Sequence, residues 1–274
     1  MAIRITSNLE AIMAANRTGQ QQDLLRSSLE RLATGTRINK SADNASGDSV
    51  ANSLHAQSVS ARQAARNAND GISIVNVIES AADAFISTLD RMRVLAVQAA
   101  SSHYSSIDRK SINAEFRALT DEQLVQIAET TEFNGIQLGT TAATILEVQV
   151  GNYGELEDRV KIKLPSFLDA QAIVAIASLN SATEAGEALD LIDSARDAMA
   201  AGRAKLGAAH NSLESSLDTN IEYASNLDAA ASRIEDTDFA AETAEMTKRQ
   251  LISDASQSVL SQTQQMLEGV LKLL

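Results

Sequence analysis

The stretch that decides the fold runs from Ile72 to Ala99 and reads ISIVNVIESAADAFISTLDRMRVLAVQA. Two apolar columns recur through it at seven-residue spacing: Val75, Ala82, Leu89, Ala96 and Ile78, Phe85, Met92, Ala99. A seven-residue period marks a helix that packs along a seam. A longer column follows further along the chain: Ile192, Met199, Leu206, Leu213, Asn220, Leu227, Ile234. Its one polar member, Asn220, reads as a partly exposed position, the other reading being a buried Asn that fixes helix register. Composition agrees with long helices. Aromatics make up 3% of the 274 residues, Trp is absent, and Pro165 is the only proline. A core of Leu, Ile, Val, Met and Ala suits helices packed side by side better than a β-sandwich. The expected fold is mainly α, with long antiparallel helices forming a coiled-coil-like terminal domain and a helical bundle with one small β-hairpin.

Both ends of the chain carry amphipathic patterns. The C-terminal column is Ile252, Val259, Met266, Leu273, flanked by Leu260, Leu267 and Leu274. The N-terminal one is Ile5, Leu9, Ile12 and then Leu25, Leu29, Leu32, with Gln20, Gln21 and Gln22 between. Such faces need cover from each other, from a second copy of the chain or from a membrane. The connection after the first seam is Ser101 to Ser106. In the helix beyond it the period slips, because the step from Leu119 to Leu124 is five residues, one too many for an unbroken seam. A π-bulge or local overwinding is expected there. Alternation in Ile145–Val150 and Arg159–Leu164, around Gly151-Asn152-Tyr153-Gly154, predicts a hairpin near 145–164. Residues 166–188 are rich in Ala and Ser and show no clear element.

The formal charge is −13 and unevenly spread: residues 1–66 hold eight basic side chains against five acids, the remainder 15 against 31. An acidic body argues against nucleic acid as a partner, which needs a clustered basic face. There is no cysteine, hence no disulfide and no thiolate metal site. No apolar run resembles a signal peptide and none reads as long enough to span a membrane, so composition alone suggests a cytosolic protein. The search for chemistry finds no catalytic residue, no cofactor and no metal site. His55, His103 and His210 lie far apart, no Glu-x-x-His pair or zinc-peptidase motif occurs, and no phosphate-binding or nucleophile-elbow motif occurs. Asp43-Asn44-Ala45-Ser46-Gly47-Asp48 lacks the later ligands of a calcium loop and reads as a helix-capping turn.

Several stretches resemble one family closely. Arg66-Asn67-Ala68-Asn69-Asp70-Gly71-Ile72-Ser73-Ile74 is similar to the RNANDGISI signature of bacterial flagellins. Leu32–Asn39 resembles their LSSGLRIN segment, Asp43–Gly47 their DDAAG, and Thr131-Glu132-Phe133-Asn134-Gly135 matches TEFNG. Near the other end, Ser232–Ala240 resembles SRIRDADFA and Ser258–Gln262 resembles SVLAQ. The chain departs from the pattern at Glu235 and Thr237, where Arg and Ala are commoner, and in lacking a final Arg after Leu274.

The resemblance implies a subunit that polymerises into the flagellar filament used for swimming, with no enzymatic activity. Terminal segments 1–42 and 235–274 would pair as the inner filament domain, and 43–234 would form the outer bundle. It also implies export in an unfolded state, without a cleaved signal peptide, to an extracellular location, which reverses the cytosolic reading. Expected partners are further copies of the chain in a helical homopolymer, the flagellar type III export apparatus, and an export chaperone at the C-terminal helix. Filament cap and hook-junction proteins complete the set, with no nucleic acid and no membrane. Assembly would run through Ile5, Leu9, Ile12, Leu25, Leu29, Leu32, Ile252, Val259, Leu260, Met266, Leu267 and Leu273. Similarity to members seen by Toll-like receptor 5 points to Arg91, Leu95 and Glu115 as receptor contacts. Arg91 and Leu95 are one helical turn apart and so are expected to share a face. Positions 91 and 115 are equidistant from His103, so a hairpin of helices would set them level.

Overall fold

The computed structural model describes residues 9–140, 145–152 and 154–271. The elements are α1 (Leu9–Thr34), α2 (Ala45–Ala100), α3 (Ser106–Ala118), α4 (Leu124–Thr130), β1 (Glu132–Phe133), β2 (Ile136–Gln137), β3 (Ile145–Gln149), β4 (Arg159–Lys163), α5 (Phe167–Ala175), α6 (Ala182–Glu235) and α7 (Phe239–Leu271). They make two compact units, one of residues 1–56 with 226–274 and one of residues 57–225.

In the 57–225 unit both seven-residue columns of α2 are wholly buried, together with Ile192, Met199, Leu206 and Leu213 of α6. Phe116 of α3 and Phe167 and Val174 of α5 complete the same core. The Phe85 and Phe167 rings meet edge to face at 5.4 Å. Large apolar side chains buried this way contribute roughly 1.5–3 kcal/mol each. Three ion pairs show that α2 and α6 run antiparallel: Asp83 with Arg203 at 2.6 Å, Asp90 with Arg196 at 2.9 Å and Arg93 with Asp193 at 3.0 Å. All three are half-exposed, so they add direction more than stability.

The connection at 101–106 is closed from both sides. Ser105 and Asp108 form a capping box at the start of α3, and the Arg109 guanidinium donates to the carbonyls of Ala99, in the last turn of α2, and Ser101, just past its end, at 2.8 Å each. The expected irregularity in the next helix is present: Leu119–Gln123 is a π turn, in which the Leu124 N–H reaches back five residues to the Leu119 carbonyl. The buried positions along this stretch are Ile112, Phe116, Thr120, Leu124 and Ala128, every fourth residue. A plain α-helix of 3.6 residues per turn would carry that row about 40° round at each step, and the wider π turn brings it back.

β3 and β4 pair antiparallel from Ile145↔Lys163 to Gln149↔Arg159, as expected. Leu146, Val148, Val160 and Ile162 face the core, while Glu147, Arg159 and Lys161 form a charged outer ladder. The loop is longer than a four-residue turn, since Val150 and Gly151 both donate to the Asp158 carbonyl around a short 3-10 turn at Leu156–Asp158. Asn220 corrects the expectation of partial exposure. It is 8% exposed and donates to the carbonyls of Val150 at 2.7 Å and Ser216 at 2.8 Å, so it pins the hairpin to α6. A second ladder, β1 with β2, turns on Asn134 (φ 48°) and Gly135 (φ 76°), a pair suited to a two-residue hairpin. The stretch at 166–188 contains α5, whose last carbonyl, Ala175, accepts from Arg117 at 2.6 Å.

One expectation about membranes is corrected. An 18-residue window of α2 has mean hydropathy 1.4, which makes that helix long and apolar enough to cross a bilayer by length and composition. Ile, Val, Leu and Phe raise that mean, many of them in the buried columns, while Ser, Asn, Asp and Glu between them keep the surface from being fully apolar.

Candidate assembly surface

In the 1–56 and 226–274 unit, α1 packs antiparallel on α7. Met13 and Arg17 face Ile252 to Thr263, Ser28 faces Arg249, and Arg31 faces Glu242. The breaks that separate these helices from α2 and α6 are tied together. Gly35 takes φ +78°, Thr36 bridges Asp236, the Thr237 N–H donates to the Gly35 carbonyl at 2.9 Å, and Arg37 donates to the Ile234 carbonyl at 2.6 Å. The turn before α2 is the capping structure expected. Asp43 accepts the N–H groups of Asn39 and Lys40, and Asn44 accepts that of Gly47 at 3.0 Å. Those two backbone donors hold the Asp43 carboxyl below its ordinary value. Among the described residues no group of three or more His, Asp or Glu side chains is placed to hold a metal.

The α1–α7 seam is not apolar. Its buried members include Thr18, Ser28 and Ser253, and Arg249 reaches across it to the Leu24 carbonyl and the Ser28 hydroxyl. The large apolar side chains point elsewhere: Ile12 is 55% exposed, Leu29 49%, Val259 56% and Met266 66%. Leu25, Leu32 and Leu260 are half-buried and Ile252 is exposed. Leu9 and Leu267 lie in the helices but their side chains are outside the described residues, as are Ile5 and Leu273 altogether. Between the helices Met13, Ala14, Arg17, Ile252, Val259 and Thr263 line an open groove of about 500 Å³. Sequence reading missed Met13, Leu24, Phe239 and Leu251, all 45–66% exposed. The signal was there in the doubled apolar residues Ile12-Met13, Leu24-Leu25 and Leu251-Ile252, which widen a stripe beyond one heptad column.

The other trio of site residues divides. Arg91 and Glu115 are level, as the hairpin geometry requires, and the guanidinium donates to one carboxylate oxygen at 2.6 and 3.1 Å on an exposed surface. Leu95 does not share that surface. At 3% exposure it belongs to the core, because a step of four residues turns the helix by about 40° and the core edge falls within that arc.

Residues 5–141 match the family described as the bacterial flagellin N-terminal helical region, and residues 189–274 match the flagellin C-terminal helical region. The chain belongs to the bacterial flagellin family. The flagellin of Halalkalibacterium halodurans is 37% identical over 274 residues, covering 98% of this chain and 99% of that one. The flagellin of Bacillus subtilis is 31% identical over 310 residues, covering 99% and 100%. A solved structure assigned as a flagellar hook-associated protein of Vibrio parahaemolyticus has TM-score 0.58 over 71% of this chain and 100% of its own, at 16% identity, a likeness of fold alone. The chain is accordingly a structural subunit of the flagellar filament, in a family whose members self-polymerise.

Proposed function

We propose that the chain polymerises through its paired terminal segments, 1–42 with 235–274, while residues 43–234 form the outer body, and that it works without catalysis. The observation that carries this reading is the outward turn of the apolar faces on α1 and α7. Left in water, Ile12, Leu29, Val259 and Met266 forgo the stabilisation that burial would bring, and neighbouring copies supply that burial at every lattice position. A lipid surface fits less well. Of the basic residues described on α7, Arg249 is turned into the seam and Lys248 is paired with Glu245 at 3.3 Å, which leaves no basic patch. Export in an unfolded state to an extracellular filament, with the type III apparatus, a chaperone on the C-terminal helix, and cap and hook-junction proteins as partners, belongs to the same proposal. Unpaired terminal faces and a chain without cysteine support it, since no disulfide can lock the chain before passage.

The test is a fragment spanning residues 45–232. It should melt cooperatively and fail to extend filament seeds, whereas growth of filaments from it would overturn the reading. For the receptor, we propose that the monomer contacts Toll-like receptor 5 through Arg91 and Glu115. Arg91→Glu should weaken activation without moving the melting temperature by more than a degree or two. Unchanged signalling would remove the site.

A further inference from the structure

We propose that Arg249 sets the register of α7 on α1, and through it the alignment of the two apolar faces that a neighbouring subunit must meet together. This rests on the assembly reading above. The Arg249 side chain is 17% exposed and has three partners in fixed places. Nη1 donates to the Leu24 carbonyl at 2.8 Å and to the Ser28 hydroxyl at 2.9 Å, and Nε donates to Glu245 at 3.1 Å. Ser28 itself is fully buried. The other buried seam residues named, Thr18 and Ser253, are small and polar. They let the helices approach but do little to prefer one alignment over another shifted by a heptad. A shift of seven residues is about 10 Å along the axis. It would strip the guanidinium of its two acceptors on α1 and leave Nη1 in the seam without them, with Glu245 of its own helix as the remaining partner. The second cross-seam pair, Arg31 with Glu242, is 3.8 Å apart and makes a looser point of reference.

Register matters because the groove has walls from both helices, Met13 and Arg17 on one side and Ile252 and Val259 on the other. A slipped α7 would carry its apolar residues a turn or more past their counterparts on α1. Arg249 therefore acts as a positioning residue, through its contacts across the seam of its own chain. Nothing local in the sequence shows that its partners stand on α1.

The roles of register and of simple packing separate by substitution. Arg249→Lys keeps the charge and a donor but loses the planar fork, while Arg249→Leu keeps apolar bulk in the seam with no donor. Full-length chains carrying each change are compared by seeded elongation. The proposal expects wild type to grow fastest, Lys next, and Leu at least tenfold slower than wild type. Leu growing as fast as Lys or faster, or both growing like wild type, overturns it. Val259→Asp is run beside them. Growth of Val259→Asp together with normal Arg249 variants sinks the assembly reading itself. Arrest of Val259→Asp with normal Arg249 variants sinks the register proposal alone. Because the described chain has no cysteine, spin labels at Arg26→Cys and Gln264→Cys report alignment in filaments doped with labelled subunits. Wild type should give one distance, and incorporated Arg249→Leu subunits a second population shifted by about 10 Å. A single unshifted distance in that variant contradicts the proposal.

Discussion

Ser105 and Asp108 exchange hydrogen bonds at the start of α3, the serine hydroxyl accepting the Asp108 N–H at 3.2 Å and donating to its carboxylate at 2.7 Å. Ser105→Ala should lower the stability of the 57–225 unit by about 1 kcal/mol in urea unfolding. The bonds from the Ser105 hydroxyl, and then from its backbone N–H, hold the Asp108 carboxyl below the usual 3.8. A depressed native value means a contribution present above the unfolded pKa and lost as pH falls through the native one. The stability gap between wild type and Asp108→Ala should therefore be constant at neutral pH and shrink below pH 3.8; a gap that widens in acid would contradict the assignment. At Asn220 the expected loss is larger. Asn220→Leu leaves the Val150 carbonyl facing a buried apolar group, for about 1–3 kcal/mol. This residue was half-legible: its column showed that it lies on the seam side of α6. Its partner, 70 residues away at the end of a hairpin, could not be read from local sequence.

At the scale of elements, period carried most of what could be read. The α2 columns, the outward slip at Leu119–Leu124 and the alternating strands of β3 and β4 all follow from spacing that burial imposes. What escaped was set by tertiary partners. α5 is short and Ala-rich, and it depends on Ser166 at one end and Arg117 from α3 at the other. The β1–β2 turn carried its own Asn134-Gly135 signal. Its strands of two residues each are below the length at which alternation shows. The π turn supports a direct test. If the π turn absorbs one extra residue, deletion of Glu122 should restore a plain α-helix with a four-residue step from Leu119 to Leu124 and return Leu124 and Ala128 to the same core sites. The unit should then keep its stability to within about 1 kcal/mol. A loss of about 2–5 kcal/mol, the cost of vacating a buried leucine site, would contradict this reading of the turn.

Across the whole molecule the two units use apolar residues in opposite ways. The 57–225 unit turns its seven-residue columns inward and folds around them. The 1–56 and 226–274 unit joins its helices through serines, a threonine and arginines, and turns its larger apolar side chains outward. The terminal columns were legible as amphipathic faces. Their direction was not, because a stripe looks the same whether it covers a partner helix of its own chain or of the next subunit. The central claim is that these outward faces exist for neighbours, and Val259, 56% exposed beside the groove, tests it most directly. In a filament a carboxylate at that position would be buried without a partner, a penalty of several kcal/mol repeated in every subunit. In the monomer it would stay in water and cost little beyond helix propensity. The decisive measurement is seeded polymerisation of Val259→Asp alongside its melting curve. The predicted result is no filament growth, with the melting temperature of the 57–225 unit within a degree or two of wild type. Normal filaments from this variant would contradict the account.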